Sequence, residues 1–85
     1  MPLSRSELKR ALKHLQASDW QAAHEIVQQD EDSPLACWAH GIVHLMEGDL
    51  PNARYWYGRA KRALPANPDA KSEIEALGRA LEENN

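Results

Sequence analysis

Phenylalanine and threonine are absent from this 85-residue chain, and Ile26, Val27, Ile42, Val43 and Ile74 are its only Val or Ile residues. So few β-branched and aromatic side chains argue against a sheet, whose pleated surface favours those residue types. Cys37 is the single cysteine, which rules out an internal disulfide and suits a reducing compartment. No apolar run approaches the roughly 20 residues that cross a bilayer, and the N-terminal segment lacks the apolar stretch of a signal peptide. A cytoplasmic location with no membrane partner is therefore expected. The formal net charge of −3 leaves no basic footprint, and no nucleic-acid partner is expected. The positive charges of Arg5, Lys9, Arg10 and Lys13 read as a solvated helix face.

Apolar residues make up 42% of the chain and charged residues 27%, the balance of an ordered globule rather than a disordered segment. Its length fits one domain, residues 1–85, with a thin core. Ala, Leu, Glu, Gln, Lys and Arg dominate, and all are good helix formers.

Apolar spacing and capping signals predict five helices, at about residues 4–17, 19–29, 34–47, 50–64 and 70–82. The first opens on Ser4, with Glu7 as capping-box partner, and buries Leu8, Ala11, Leu12 and Leu15. The second follows Ser18-Asp19 and buries Trp20, Ala23, Ile26 and Val27. An acidic loop, Asp30-Glu31-Asp32, leads to Ser33 as cap and Pro34 at the first helical position. The third helix carries the stripe Leu35, Trp38, Ile42 and Leu45 and ends at Gly48, with Asp49 capping the fourth. In the fourth, Ala53, Trp56, Tyr57, Ala60 and Leu64 share a face. The fifth, after the breaker Pro65 to Asp69, aligns Ala70, Ile74, Leu77 and Leu81, and its Glu-Glu-Asn-Asn tail should fray.

The chain also matches itself at an offset of 30 residues. Leu8 falls on Trp38, Leu12 on Ile42, Leu15 on Leu45, Asp19 on Asp49, Ala23 on Ala53 and Val27 on Tyr57. The expected architecture is all-α, two antiparallel helical hairpins closed by a C-terminal capping helix.

Residues 34–67 resemble one tetratricopeptide repeat: Gly41, Ala53, Tyr57, Ala60 and Pro65 stand at that motif's spacing, and Gly48-Asp49 supplies its turn. Cys37, His40 and His44 depart from it, standing where the motif has its aromatic, Leu and Tyr residues. The resemblance implies a right-handed α-α superhelix and a protein–protein interaction role. A narrower resemblance is to small proteins with a His-Gly-x-x-His-x-x-Glu-Gly-Asp-x-x-Asn-Ala-x-Tyr-Trp-Tyr-x-Arg-Ala segment, present here from His40 to Ala60. It brings no biochemical activity with it.

Two constellations carry chemistry. His40 and His44 stand at i, i+4, a spacing that zinc ligands use, with Glu47 one turn on and His24 on the preceding helix. Gly41, Ile42 and Val43 separate the two histidines, so the glutamate of a metalloprotease helix is missing. The competing reading is a half-buried structural His44, bonded to Asn52 or Asp49. The second constellation is a ligand surface built from His44, Glu47, Asn52, Tyr55, Trp56 and Arg59, with Trp38 or Trp56 as its aromatic contact; the competing reading is a hydrophobic core with a clasping Arg. Nothing matches a nucleophile elbow or a phosphate loop, and the acidic loop lacks calcium-ligand spacing.

The leading expectation is thus a non-catalytic binding or adaptor module for a peptide, a protein partner or a small ligand. The alternative is a metal-binding or metal-dependent hydrolase-like protein, with zinc held by His40, His44 and Glu47. A homodimer is a further expectation, because so short a stack leaves an apolar edge to cover.

Overall fold

The computed structural model describes residues 2–83, and the tail expected to fray reaches residues 84–85, outside that range. The described residues form five helices and no strand: α1 (Arg5–Gln16), α2 (Trp20–Val27), α3 (Pro34–Glu47), α4 (Leu50–Arg59) and α5 (Ala70–Glu83). None is long and apolar enough to cross a membrane. Consecutive helices pair, α1 on α2 and α3 on α4, and α5 packs against α1 and α3. Every other helix touches α3. An unbroken run of α3, Ala36 to Val43, is buried as a result, with no solvent face of the kind a surface helix keeps.

Local signals explain most of the boundaries. Ser4 Oγ accepts the Glu7 amide at 3.1 Å while Glu7 Oε1 accepts the Ser4 amide at 3.1 Å, the reciprocal pair of a capping box. Asp19 caps α2 through the Ala22 amide, and Asp49 caps α4 through Asn52. Ser33 stands at the cap of α3 but makes no side-chain capping bond. Asp30 acts there instead: its Oδ1 accepts the Asp32 and Ser33 amides, and its Oδ2 accepts the Leu3 amide at 3.0 Å. Asp30 is buried, and it ties the N-terminal segment to the α2–α3 loop.

Three helices end in one way. After α1 the Ser18 amide bonds Leu15 O and the Asp19 amide bonds His14 O; after α3 the Gly48 and Asp49 amides bond Leu45 O and His44 O. The paired bonds past a left-handed residue form a Schellman closure, with Ser18 at φ 63° and Gly48 at φ 86°. The two hairpins therefore turn on the same geometry at the offset that relates their sequences. The third closure corrects an expectation. Lys61, at φ 60°, ends α4 at Arg59, short of the expected Leu64, through Lys61 N–H to Gly58 O and Arg62 N–H to Tyr57 O. The turn lays the Arg62 guanidinium 3.5 Å over the Trp38 ring. Likewise α2 stops at Val27, where Gln29 and Asp30 bond three residues back.

Of the expected stripes, Leu8, Ala11, Leu15, Ala23, Val27, Trp38, Ile42, Ala53, Tyr57, Ala60, Ile74, Leu77 and Leu81 are buried, while Leu12, Trp20, Ile26, Leu35, Leu45, Trp56 and Leu64 are half-buried at the edge of the core. Close approach at the α3–α4 crossing needs a glycine. A Cβ on Gly41 would lie 2.5 Å from Tyr57 Cδ1, so the tyrosine ring occupies that space. Beyond the ring, Tyr57 Oη donates to Glu73 Oε1 at 2.5 Å, and Trp38 Nε1 donates to the same oxygen at 3.2 Å. One carboxylate from α5 thus satisfies two buried donors on α3 and α4, which would be costly if left unpaired.

Candidate functional site

The histidines of α2 and α3 meet at one edge of the α3–α4 hairpin. His40 and His44 lie one turn apart on α3, and their rings stack at 5.2 Å. His24, from α2, stands edge-on to both, at 4.8 Å from His40 and 5.7 Å from His44. One ring nitrogen from each histidine lies within 4.8 Å of the others. Trp56, from α4, stacks on His40 at 3.8 Å with ring planes 9° apart, so an indole floors the cluster.

Burial separates the three rings. His40 is only 4% exposed, and its Nδ1 is buried without a hydrogen-bond partner. His24 and His44 are half-buried and lie toward solvent. Desolvation, reinforced by repulsion from His24 and His44, lowers the His40 pKa to about 3. His40 is therefore a neutral imidazole at pH 7, with a lone pair and no charge. His44 Nδ1 lies 2.9 Å from Glu47 Oε1. A carboxylate only accepts, so His44 Nδ1 is the donor of this bond.

The other candidate residues divide between this cluster and local structure. Glu47 is engaged with His44. Asp49 and Asn52 bond each other, Asn52 Nδ2 donating to Asp49 Oδ2 at 2.6 Å within the α4 cap. Neither is bonded to His44, which turns to Glu47 instead. Tyr55 is 55% exposed and stands edge-on to Trp56 at 5.2 Å. Arg59 reaches away from the cluster: its Nε and Nη2 donate to Glu31 O at 3.1 and 2.7 Å, and Nη2 also meets Asp32 at 3.2 Å. The guanidinium fork clamps the α2–α3 loop, although its carbon still lies 5.8 Å from the Trp56 ring centre. Trp38 is 1% exposed and bonded to Glu73, so Trp56 and Tyr55 are the aromatic surface here, not Trp38.

Sequence spacing identifies His40 and His44, but His24 joins them only through the packing of α2 on α3. Asp30, read only as part of an acidic loop, is a buried clamp; the available signal is its place three residues before Ser33, the spacing at which a capping carboxylate accepts an amide. No family model matches this chain, and neither a curated protein nor a solved structure matches it at a significant level.

Proposed function

We propose that the protein is a non-catalytic binding module whose recognition element is the cluster of His24, His40, His44 and Trp56. One observation carries this reading: a buried imidazole, His40, stacked against an indole, with a ring nitrogen that no group among the described residues satisfies. An unpaired buried polar atom costs on the order of 1–3 kcal/mol, and a chain that retains one beside two further imidazoles holds a site preorganised for something from outside. Tyr55 extends an apolar surface beside it, which suits a peptide, a partner protein or a small ligand. The matched turns of the two hairpins support kinship with tetratricopeptide-type interaction modules, and the lone Cys37 supports a cytoplasmic setting.

The test is a histidine-ring NMR titration against amino acids, nucleotides, sugars, peptides and divalent ions, run beside a thermal-shift screen. A true ligand moves the His24, His40 and His44 resonances and raises the melting temperature, by about 2.7 kcal/mol of stabilisation at a hundredfold excess over Kd. Ligands that stabilise the fold while leaving those resonances in place would assign binding to another surface.

A further inference from the structure

We propose that His24, His40 and His44 form a three-imidazole site for a divalent transition-metal ion of the zinc class, with a fourth coordination position open to solvent. The inference rests on the reading above, that this cluster is the binding element, and names the ligand it takes.

Convergence is the first support. Two of the rings come from successive turns of α3 and the third from α2, so the nitrogens meet by the crossing of two helices rather than by a local turn. A tetrahedral ion with bonds of about 2.1 Å sets its nitrogens about 3.4 Å apart. The three nitrogens here lie within 4.8 Å of one another, so the rings must draw in by about 1.4 Å at most to reach that spacing.

The state of each ring is the second support. His40 is buried, with the rings of His24 and His44 packed beside it. Its unpartnered Nδ1 shows that hydrogen bonding within the protein does not account for its place in the core. For His44, the bond from Nδ1 to Glu47 is the arrangement by which a carboxylate orients a ligating histidine, which would bind the ion through Nε2. Glu47 therefore stands behind the ligand instead of joining the set, and His24 takes the place the spacing rule gave to Glu47. A second acidic grouping, His44 with Glu47 and Asp49, is already engaged, because Asp49 caps α4 and Glu47 holds His44.

Donor chemistry selects the ion. Three neutral nitrogens and no oxygen suit zinc, copper(II), nickel or cobalt, and disfavour magnesium and calcium, which take oxygen ligands. Cys37 is not available as a thiolate ligand, since it is buried and its thiol donates to Glu31 O at 3.2 Å. Three protein ligands with an outward fourth position make an exchangeable site, open to water or to a donor from a partner, and unlike the closed four-ligand sites that only hold a fold together. Trp56 excludes water from the inner face of His40.

The deciding experiment is a calorimetric titration of the metal-free protein with Zn²⁺, paralleled by Co²⁺ and its visible d–d absorption. One ion per chain is expected, with the intense spectrum of four-coordinate cobalt. His24→Gln and His44→Gln should each weaken Zn²⁺ binding by more than 100-fold, and Glu47→Gln by about 10–100-fold, as loss of a supporting carboxylate does. Asp49→Asn should leave affinity unchanged. Circular dichroism of each variant without metal establishes that it is folded; His40 itself is left intact because its ring is part of the core. Absence of zinc binding, or affinity indifferent to His24→Gln and His44→Gln, overturns the proposal. If zinc fails while an organic ligand shifts the three histidines in the NMR screen, the metal site falls and the binding-module reading stands. If nothing shifts them, both fall.

Discussion

At the scale of single residues, space and charge are decided by what stands opposite a side chain. Gly41 is the clearest case, because the Tyr57 ring fills the volume a side chain would need and is itself anchored by Glu73. Gly41→Ala should therefore destabilise the protein by about 1–3 kcal/mol, the usual cost of overpacking a close crossing, even though alanine is the better helix former. Denaturant unfolding monitored by Trp fluorescence checks it; a variant as stable as the parent would show that Tyr57 can retreat. His40 obeys the same logic. Its position on α3 is readable from the chain, but its burial follows from Trp56 and His24 arriving from two other helices.

At the scale of elements, helix ends carry the information. Ser18 and Gly48 close equivalent helices with equivalent bonds, yet only one is a glycine. A non-glycine residue in the left-handed region bears about 1 kcal/mol of strain. Ser18→Gly should raise stability by up to about 1 kcal/mol, whereas Gly48→Ala should lower it by about as much. Paired thermal melts measure both, and a loss of stability in Ser18→Gly would mean that the serine is held there by something other than backbone geometry. The same closure at Lys61 explains why α4 stops early. Nothing in Lys61 itself announces a left-handed residue, and the periodicity runs on to Leu64, so the end was not legible. What favours it is tertiary: the turn carries the exposed Arg62 onto the face of Trp38, a cation–π contact worth about 0.5–1 kcal/mol.

At the scale of the whole molecule, the N-terminal segment and the α2–α3 loop are joined by Asp30. Burial alone would push its pKa up; hydrogen bonds from Ser33, Leu3 and Asp32 outweigh that and lower it from 3.8 to about 2. A carboxyl group with a depressed folded-state pKa contributes stability above its unfolded value, and that contribution is lost as pH falls through the folded one. The contribution, about 2 kcal/mol, should be constant above pH 5 and disappear between about pH 4 and pH 2. Asp30→Asn should be less stable by that order at pH 7 and should show a flatter stability profile over the same acid range. Urea midpoints measured from pH 2 to pH 7 test it, and parallel profiles for parent and variant would place the acid sensitivity elsewhere. The α5 helix is joined to the rest in a comparable way, through Glu73 and the two donors it accepts from.

The five helices, most of their boundaries, the apolar stripes that face inward, the shared turn at an offset of 30 residues and the His40–His44 pair were all legible in the chain. All of these follow from interactions within one or two turns of chain: capping amides, 3.6-residue periodicity and the left-handed freedom of Gly48. Tertiary structure alone decided that His24 completes the imidazole cluster, that Trp38 is buried while Trp56 floors the site, and that Arg59 clamps a loop instead of facing a ligand. Each of those outcomes depends on which helices cross α3 and at what height, and the stripe on α3 does not reveal it because residues 36–43 are buried on every side.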